Sequence, residues 1–421
     1  MKKILVIQLL LITINILGQN NLDYYISSAK TNSGLLNDLR NQISISKLQN
    51  DLDFAQNSSY QLSLSSSILF TPYLNNSSGL ITTNPDTKAI GYDIGLSNGG
   101  LYSAQINFGK NLFNSGVLDV YKKKNELTNL NLSNSIQLEE HNVVKTVTEQ
   151  YLSCVRNYLL YKLSSEYLGN IQEQLNISGK LLENGFMKAQ DYLLLKIEVS
   201  SNIAAVDESW QSYKNELLAL NSLCGIQDTA GVILEEIKLQ TTAPSGDSKF
   251  VSRFPVDSSL ISASQELFET KYMPQVSVVA NAGLNAIELN NLQRRLGISA
   301  GLNFTMPLFD GNQKDITRQQ SAISQKTISQ SRDILLKNIF VQKQNGLEKI
   351  KSLEKMLKSE QKQIEEYNNV ILLNQKELEK GSISMIEYLT LFKNYFELRK
   401  NEITTGINYQ VEINNYNYWN W

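Results

Sequence analysis

Asn303-Phe304-Thr305-Met306-Pro307-Leu308-Phe309-Asp310-Gly311 decides how this chain reads. A partly alternating stretch, Leu296 to Phe304, runs into Pro307, and no proline follows up to Trp421. The same marks occur once before. Asn107-Phe108 and Leu112-Phe113 stand 196 residues ahead of Asn303-Phe304 and Leu308-Phe309. Further on, Gly185 and Asp191-Tyr192-Leu193 stand 196 residues ahead of Gly381 and Glu387-Tyr388-Leu389. Five of 14 positions agree between 107–120 and 303–316, and six of 15 between 181–195 and 377–391. Chance gives roughly one in each, so the sequence carries an internal two-fold repeat.

The spacing inside each half is long. From Phe113 to Gly185, and again from Phe309 to Gly381, the chain runs 72 residues. As a helix such a span measures about 108 Å at 1.5 Å per residue. The six prolines, at 72, 85, 244, 255, 274 and 307, leave 86–243 and 308–421 free. Proline is expelled from helix interiors because it removes a hydrogen bond and collides with the preceding turn. Leu152, Val155, Leu159 and Leu163 in one block, and Leu347, Ile350, Leu353 and Leu357 in the other, recur at helical spacing. Helices are therefore expected at about 115–183 and 312–379. Each turns near Gly185 or Gly381 and returns at about 188–224 or 384–416. Asn114 and Asp310 stand where N-caps belong. Residues 22–57 read as one further helix, and 257–271 as a shorter one.

Period-two alternation marks strands at Tyr60–Ser65, Leu101–Phe108, Gln275–Val278 and, in part, Leu296–Phe304. With their flanking residues each is expected to reach roughly 9–12 residues, the length of a tilted membrane-spanning strand. Residues 71–98, rich in Asn, Ser, Gly and Thr, read as the loop of the first hairpin, and 285–295 as its shorter counterpart. Residues 226–256 link the halves, with Thr241 to Lys249 as the loosest part.

The N-terminus reads as an export signal over 1–19. Basic Met1-Lys2-Lys3 precedes an apolar run, Ile4 to Leu17, with cleavage near Gly18 or Gln19. No run of 18 apolar residues follows, so a membrane role has to come from strands. The net charge of −2 with 19% charged residues points to no nucleic-acid partner. Cys154 and Cys224, the two cysteines, are expected as buried thiols. With a single histidine, His141, and no Cys or His cluster, neither a metal site nor a Ser-His-Asp arrangement is expected. No phosphate-cradling glycine loop is present. The expectation is a protein without cofactor or enzymatic activity.

Four strands fall short of the roughly eight that close a barrel. Open edges in lipid cost several kcal/mol per unpaired backbone group. The chain must then pool strands with copies of itself, two, three or four giving 8, 12 or 16 strands. Long amphipathic helices likewise have to bury their stripes on neighbours.

With these features in place the chain resembles the TolC-like outer-membrane efflux proteins over nearly all its length after the leader. Asn303 to Gly311, Met273-Pro274-Gln275-Val276-Ser277-Val278, Glu379-Lys380-Gly381 and Ile386-Glu387-Tyr388-Leu389 carry the resemblance. It implies a mixed α and β membrane protein. Four strands per chain form a trimeric 12-stranded β-barrel, continued by a long α-helical periplasmic tunnel. It implies a first repeat over 20–225, with a hairpin at about 59–109 and a helical hairpin at about 115–224. A second repeat covers 257–421, with a hairpin at about 273–308 and helices at about 312–416. The implied partners are a homotrimer, outer-membrane lipid, a periplasmic adaptor (membrane-fusion) protein and an inner-membrane transporter of RND or ABC type. The implied role is the outer-membrane exit duct of a Gram-negative tripartite efflux or type I secretion system. A non-transporting envelope coiled-coil protein, structural or adhesive, is the other reading; it lacks a use for the strand hairpins.

The resemblance also assigns residues. By the spacing from glycine to acid, Glu387 matches a pore-constriction acid, Thr390 occupies the place of a second, and Asp191 is the equivalent in the first half. Ile383 stands where some relatives carry an arginine that locks the hairpins, and Lys188 and Lys380 are the nearby cations. Leu182, Gly185, Tyr192, Leu378, Gly381 and Tyr388 are expected to pack the helical tip and meet the adaptor. Asn114, Pro307, Asp310 and Gly311 mark the strand-to-helix junctions. Tyr416, Tyr418, Trp419 and Trp421 read as a packing strip, with a recognition tail for outer-membrane assembly as the other reading.

Overall fold

Proline-free blocks rich in Leu, Lys, Glu and Gln form helices of unusual length. A computed structural model describes residues 21–69, 90, 102–228, 230–244, 246–287, 289–379 and 382–421. The expected leader, all but Ile90 of the loop over 71–98, and Lys380 and Gly381 lie outside the described residues. In chain order the elements are α1 (Leu22–Asn32), α2 (Gly34–Ser58), β1 (Gln61–Ile68), β2 (Tyr102–Leu112), α3 (Ser115–Glu183) and α4 (Ala189–Leu223). They continue with α5 (Arg253–Glu269), β3 (Gln275–Ala286), β4 (Leu296–Thr305), α6 (Gln313–Glu379) and α7 (Met385–Trp419). Helix α3 has 69 residues and α6 has 67.

The single helix expected over 22–57 is broken at Ser33, which is extended at φ −60°, ψ 117°. Three poor helix formers meet there, Asn32, Ser33 and Gly34. Ser33 and Asn32 each make a side-chain bond there. Ser33 Oγ accepts from the Leu36 N–H at 3.2 Å, starting α2. The Asn32 side chain donates to the Cys224 carbonyl at 2.9 Å, at the C-terminal end of α4.

Contacts divide the chain into two compact units, each drawing on both halves of the sequence. One comprises the described residues up to Asn41 with Ser133–Arg253 and Gln330–Trp421. Its core gathers Tyr25, Tyr151, Leu152, Cys154, Tyr213, Leu220 and Cys224. Both cysteines are free and buried, and burial pushes their thiols up, Cys224 to about 12. Buried tyrosines need partners for their hydroxyls. Tyr151 donates to the Glu235 carbonyl at 2.8 Å and Tyr213 to that of Val232, so the core grips the linker from beneath.

The expected loosest part of the linker is held instead. Thr242 N–H donates to Asn417 Oδ1 at 2.8 Å, and Asn420 Nδ2 donates to the Ala243 carbonyl at 2.7 Å. Asparagine can donate and accept at once, so the last turn of α7 satisfies linker backbone that lacks strand partners. His141 is likewise not in a merely polar stretch. Its ring stacks on Tyr418 at 4.7 Å and on Trp421 at 4.3 Å, with Nε2 2.9 Å from the Tyr418 carbonyl. Burial, with Lys249 and Lys30 nearby, lowers the His141 pKa against the opposing effect of that hydrogen bond. The aromatic residues after Asn414 are therefore packing residues.

The second unit comprises Gln42–Leu132 and Phe254–Ser329. It holds one four-stranded antiparallel sheet in the order β1-β2-β3-β4. Beside it, the buried Asp53 carboxylate accepts from Gln49 Nε2 and Asn125 Nδ2, each at 2.8 Å. Lys123 pairs with Glu266 at 2.7 Å, joining α3 to α5.

Candidate functional site

Residues opposite one another in antiparallel strands share a face of the sheet. Leu64 pairs with Ile106, Ile106 with Ala282, and Ala282 with Ile298. One residue along, Ser63 pairs with Asn107, Asn107 with Asn281, and Asn281 with Ser299. The sheet therefore has an apolar face and a polar face. On the polar face the side chains bond across strands, Asn107 Nδ2 to Ser65 Oγ at 2.8 Å and Ser299 Oγ to Asn281 Oδ1 at 2.9 Å.

The apolar face is left exposed, where water should refuse it. Leu64 is 78% exposed, Leu296 75%, Ile298 88% and Leu302 74%. Each large aliphatic left in water forgoes about 1.5–3 kcal/mol of burial. A contiguous patch of this kind marks an interaction surface. Among the described residues β1 pairs only with β2, and β4 only with β3. Two backbone edges are thus open.

The strand-to-helix junctions differ in detail from the expected caps. Asn114 directly precedes α3, but its side chain donates to the Asn57 carbonyl rather than capping the helix. Asp310 is not the residue before α6. The helix starts at Gln313, and the Asp310 carboxylate reaches forward to accept from the Lys314 N–H at 2.9 Å. Gly311 and Asn312 between them are both left-handed, at φ 68° and 67°. That conformation suits glycine and is tolerated by asparagine. Asp310 also accepts from the Tyr272 hydroxyl, which lowers its pKa and pushes Tyr272 up to about 12. Pro307 lies two residues past the end of β4, where no ladder bond is required of it. Glu269, at the end of α5, accepts from Arg318 Nε at 2.8 Å and Nη2 at 2.9 Å, with Lys314 Nζ at 3.5 Å.

The helical tip lies in the first unit. Gly185, at φ 75°, ends α3. Its N–H donates to Leu182 O at 3.0 Å and that of Phe186 to Leu181 O at 2.8 Å. This is the left-handed helix stop that glycine favours. Behind the turn, Tyr167 and Ile171 of α3, Leu195 and Val199 of α4, Leu378 of α6, and Met385, Tyr388 and Phe392 of α7 form one core. Tyr167 stacks on Phe392 at 5.2 Å and Tyr388 on Phe392 at 6.0 Å. Leu378 and Tyr388 are thus buried against their own chain. Leu182 and Tyr192 are half-buried, with Tyr192 lying over Gly179.

A cleft of about 750 Å³ opens at this tip, lined by Leu181, Phe186, Lys188, Asp191, Ile383 and Ser384 among others. Asp191 sits on it in the first turn of α4. Glu387 turns instead to the start of its own helix, where the Ser384 N–H donates to Glu387 Oε2 at 2.9 Å. Thr390 donates to the Ile386 carbonyl at 2.8 Å. Within one chain, then, Asp191 lines the cleft while Glu387 and Thr390 are engaged locally and exposed. The Ser-x-x-Glu spacing at 384–387 is a capping-box signature and could have been read from sequence. The aromatic sandwich on His141 left no such mark. Among the described residues no group of three or more His, Cys, Asp or Glu side chains is placed to hold a metal.

No protein-family model and no curated protein sequence matches the chain. Solved structures do. A membrane protein from Pseudomonas aeruginosa superposes with a TM-score of 0.73 at 14% identity, covering 95% of this chain and 90% of the other. CusC, whose structures describe transmembrane channel formation, gives 0.71 at 15% identity over 94% and 90%. The outer membrane protein VceC from Vibrio cholerae gives 0.70 at 12% identity over 95% and 96%. The fold of this chain is the TolC-like fold of the outer-membrane efflux channels.

Proposed function

We propose that the chain is the outer-membrane exit duct of a Gram-negative efflux or type I secretion system, passing substrates passively from the periplasmic side to the exterior. One observation carries the reading: a four-stranded sheet with an exposed apolar face, a polar face and two open edges, in a chain with a channel fold. Lipid supplies the solvent that the apolar face requires, and closure with further copies removes the edges that lipid forbids. Three copies give the 12-stranded barrel of the reading, with the polar face turned to a water-filled lumen and the long helices forming the periplasmic tunnel.

In this reading Glu387 and Thr390 of three chains approach at the tip, and Asp191 lines the neighbouring cleft. The exposed residues there, Phe186 foremost at 79% exposure, meet a periplasmic adaptor that couples the duct to an RND or ABC-type transporter. The internal repeat accounts for the paired hairpins. A non-transporting coiled-coil protein gains nothing from a two-faced sheet.

Closure is testable through the edges. Single cysteines placed along β1 and β4, with Cys154 and Cys224 replaced by serine, are oxidised in outer-membrane fractions. A ladder ending at three linked chains supports the barrel. Linkage confined to pairs, or absent at every register, overturns it.

A further inference from the structure

The four strands hold one charged residue, Lys110. Lys110 pairs with Val278, which pairs with Leu302, so it belongs to the apolar face. The polar face is made of Ser, Asn, Gln, Thr and Gly with Val279, and carries no ionisable group in any described strand.

Among the described residues, the charges outside the strands are set back from its middle rows. Ser299 is four residues from Arg295, about 13 Å at 3.3 Å per residue. Its cross-strand partner Asn281 is likewise four residues, about 13 Å, from Asn285, whose N–H donates to the Arg295 carbonyl. The Debye length at physiological salt is about 8 Å. The amides and hydroxyls of this face are partly spent on one another, as in the Asn107–Ser65 and Ser299–Asn281 bonds, so they present a wall of small balanced dipoles.

We infer that the strand part of the lumen is an electrostatically neutral passage that admits hydrated solutes of either sign, and uncharged polar solutes, without preference. Selection by charge is then made only outside the strands. This rests on the barrel reading above, because it takes the polar face as the lumen wall.

Charged thiol reagents report the local potential directly. Asn281→Cys, Ser299→Cys and Ser65→Cys, each at least three residues from Lys110 and its cross-strand partners, are made in the full chain lacking Cys154 and Cys224. Their modification rates by a cationic and an anionic methanethiosulfonate are compared with those of a free small thiol. The expected ratio lies within about threefold of the free-thiol ratio at all three positions. A cationic or anionic preference above tenfold overturns the inference while leaving the lumen in place. Ile298→Cys on the apolar face separates the two failures. If it reacts with both reagents while the polar-face cysteines react with neither, the lumen assignment itself falls and the inference falls with it.

Discussion

Ser384 and Glu387 cap the same helix reciprocally: the Glu387 N–H donates to Ser384 Oγ at 3.2 Å, and the Ser384 N–H donates to Glu387 Oε2 at 2.9 Å. The acid matched to the pore is also the acid that starts α7. Ser384→Ala removes one half of the box and is expected to destabilise the tip by about 1 kcal/mol, read as a lower denaturant midpoint.

Glu387→Gln separates the two roles. Glutamine serves in a capping box as glutamate does, so stability should hardly move. Ring charge is lost, so cation preference and block by trivalent cations should fall in planar bilayers. Unchanged selectivity contradicts the pore role of Glu387; a large loss of stability contradicts the interchangeable cap.

The junction at Glu269 predicts a pH dependence. Bonds from Arg318 and Gln265 hold its pKa down at about 2, from an ordinary value near 4.5. A depressed carboxylate contributes stability that is complete above the unfolded value and is lost as pH falls through the folded one. Thermal stability should therefore decline between about pH 4.5 and 2, and Glu269→Gln should flatten that part of the profile. A variant with the same acid limb as the parent contradicts this account.

The two faces of the sheet should answer opposite substitutions in opposite ways. Ile298→Arg places a charge on the apolar face and is expected to cost about 2–4 kcal/mol of folded stability in lipid if it lies at mid-bilayer depth. Ser299→Arg, its neighbour on the polar face, should fold and insert normally. Heat-modifiable mobility of the membrane-extracted protein distinguishes them, and equal loss in both variants contradicts the face assignment.

Behind the turn, Leu195→Ala opens a cavity in a core built from both helical hairpins and should cost about 2–5 kcal/mol. Exchange of backbone amides should rise in α4 and α7 together. A rise in α4 alone contradicts a shared core.

Much of this was legible in the sequence. Prolines and helical periodicity placed helices at 115–183 and 312–379, and the elements are Ser115–Glu183 and Gln313–Glu379. Strand alternation exposed the two faces, because period two survives in single sequences wherever one face is apolar. It could not show that β2 pairs with β3 and joins the two hairpins, since partner choice depends on long-range register. The break at Ser33 depends on Asn32 reaching the end of α4, and the hold on Thr242 and Ala243 on side chains from the last turn of α7. Such contacts lie about 190 and 175 residues apart in the chain and leave no local pattern. At the tip, sequence marked Leu378 and Tyr388 but could not tell a buried side from an exposed one.

The central claim is a conducting assembly of several copies. Single-channel recording of the purified, detergent-solubilised chain, with its protein mass by light scattering, tests it most directly. The account predicts discrete conductance steps from a species of three times the chain mass. A water-soluble, non-conducting monomer or coiled-coil dimer would contradict it.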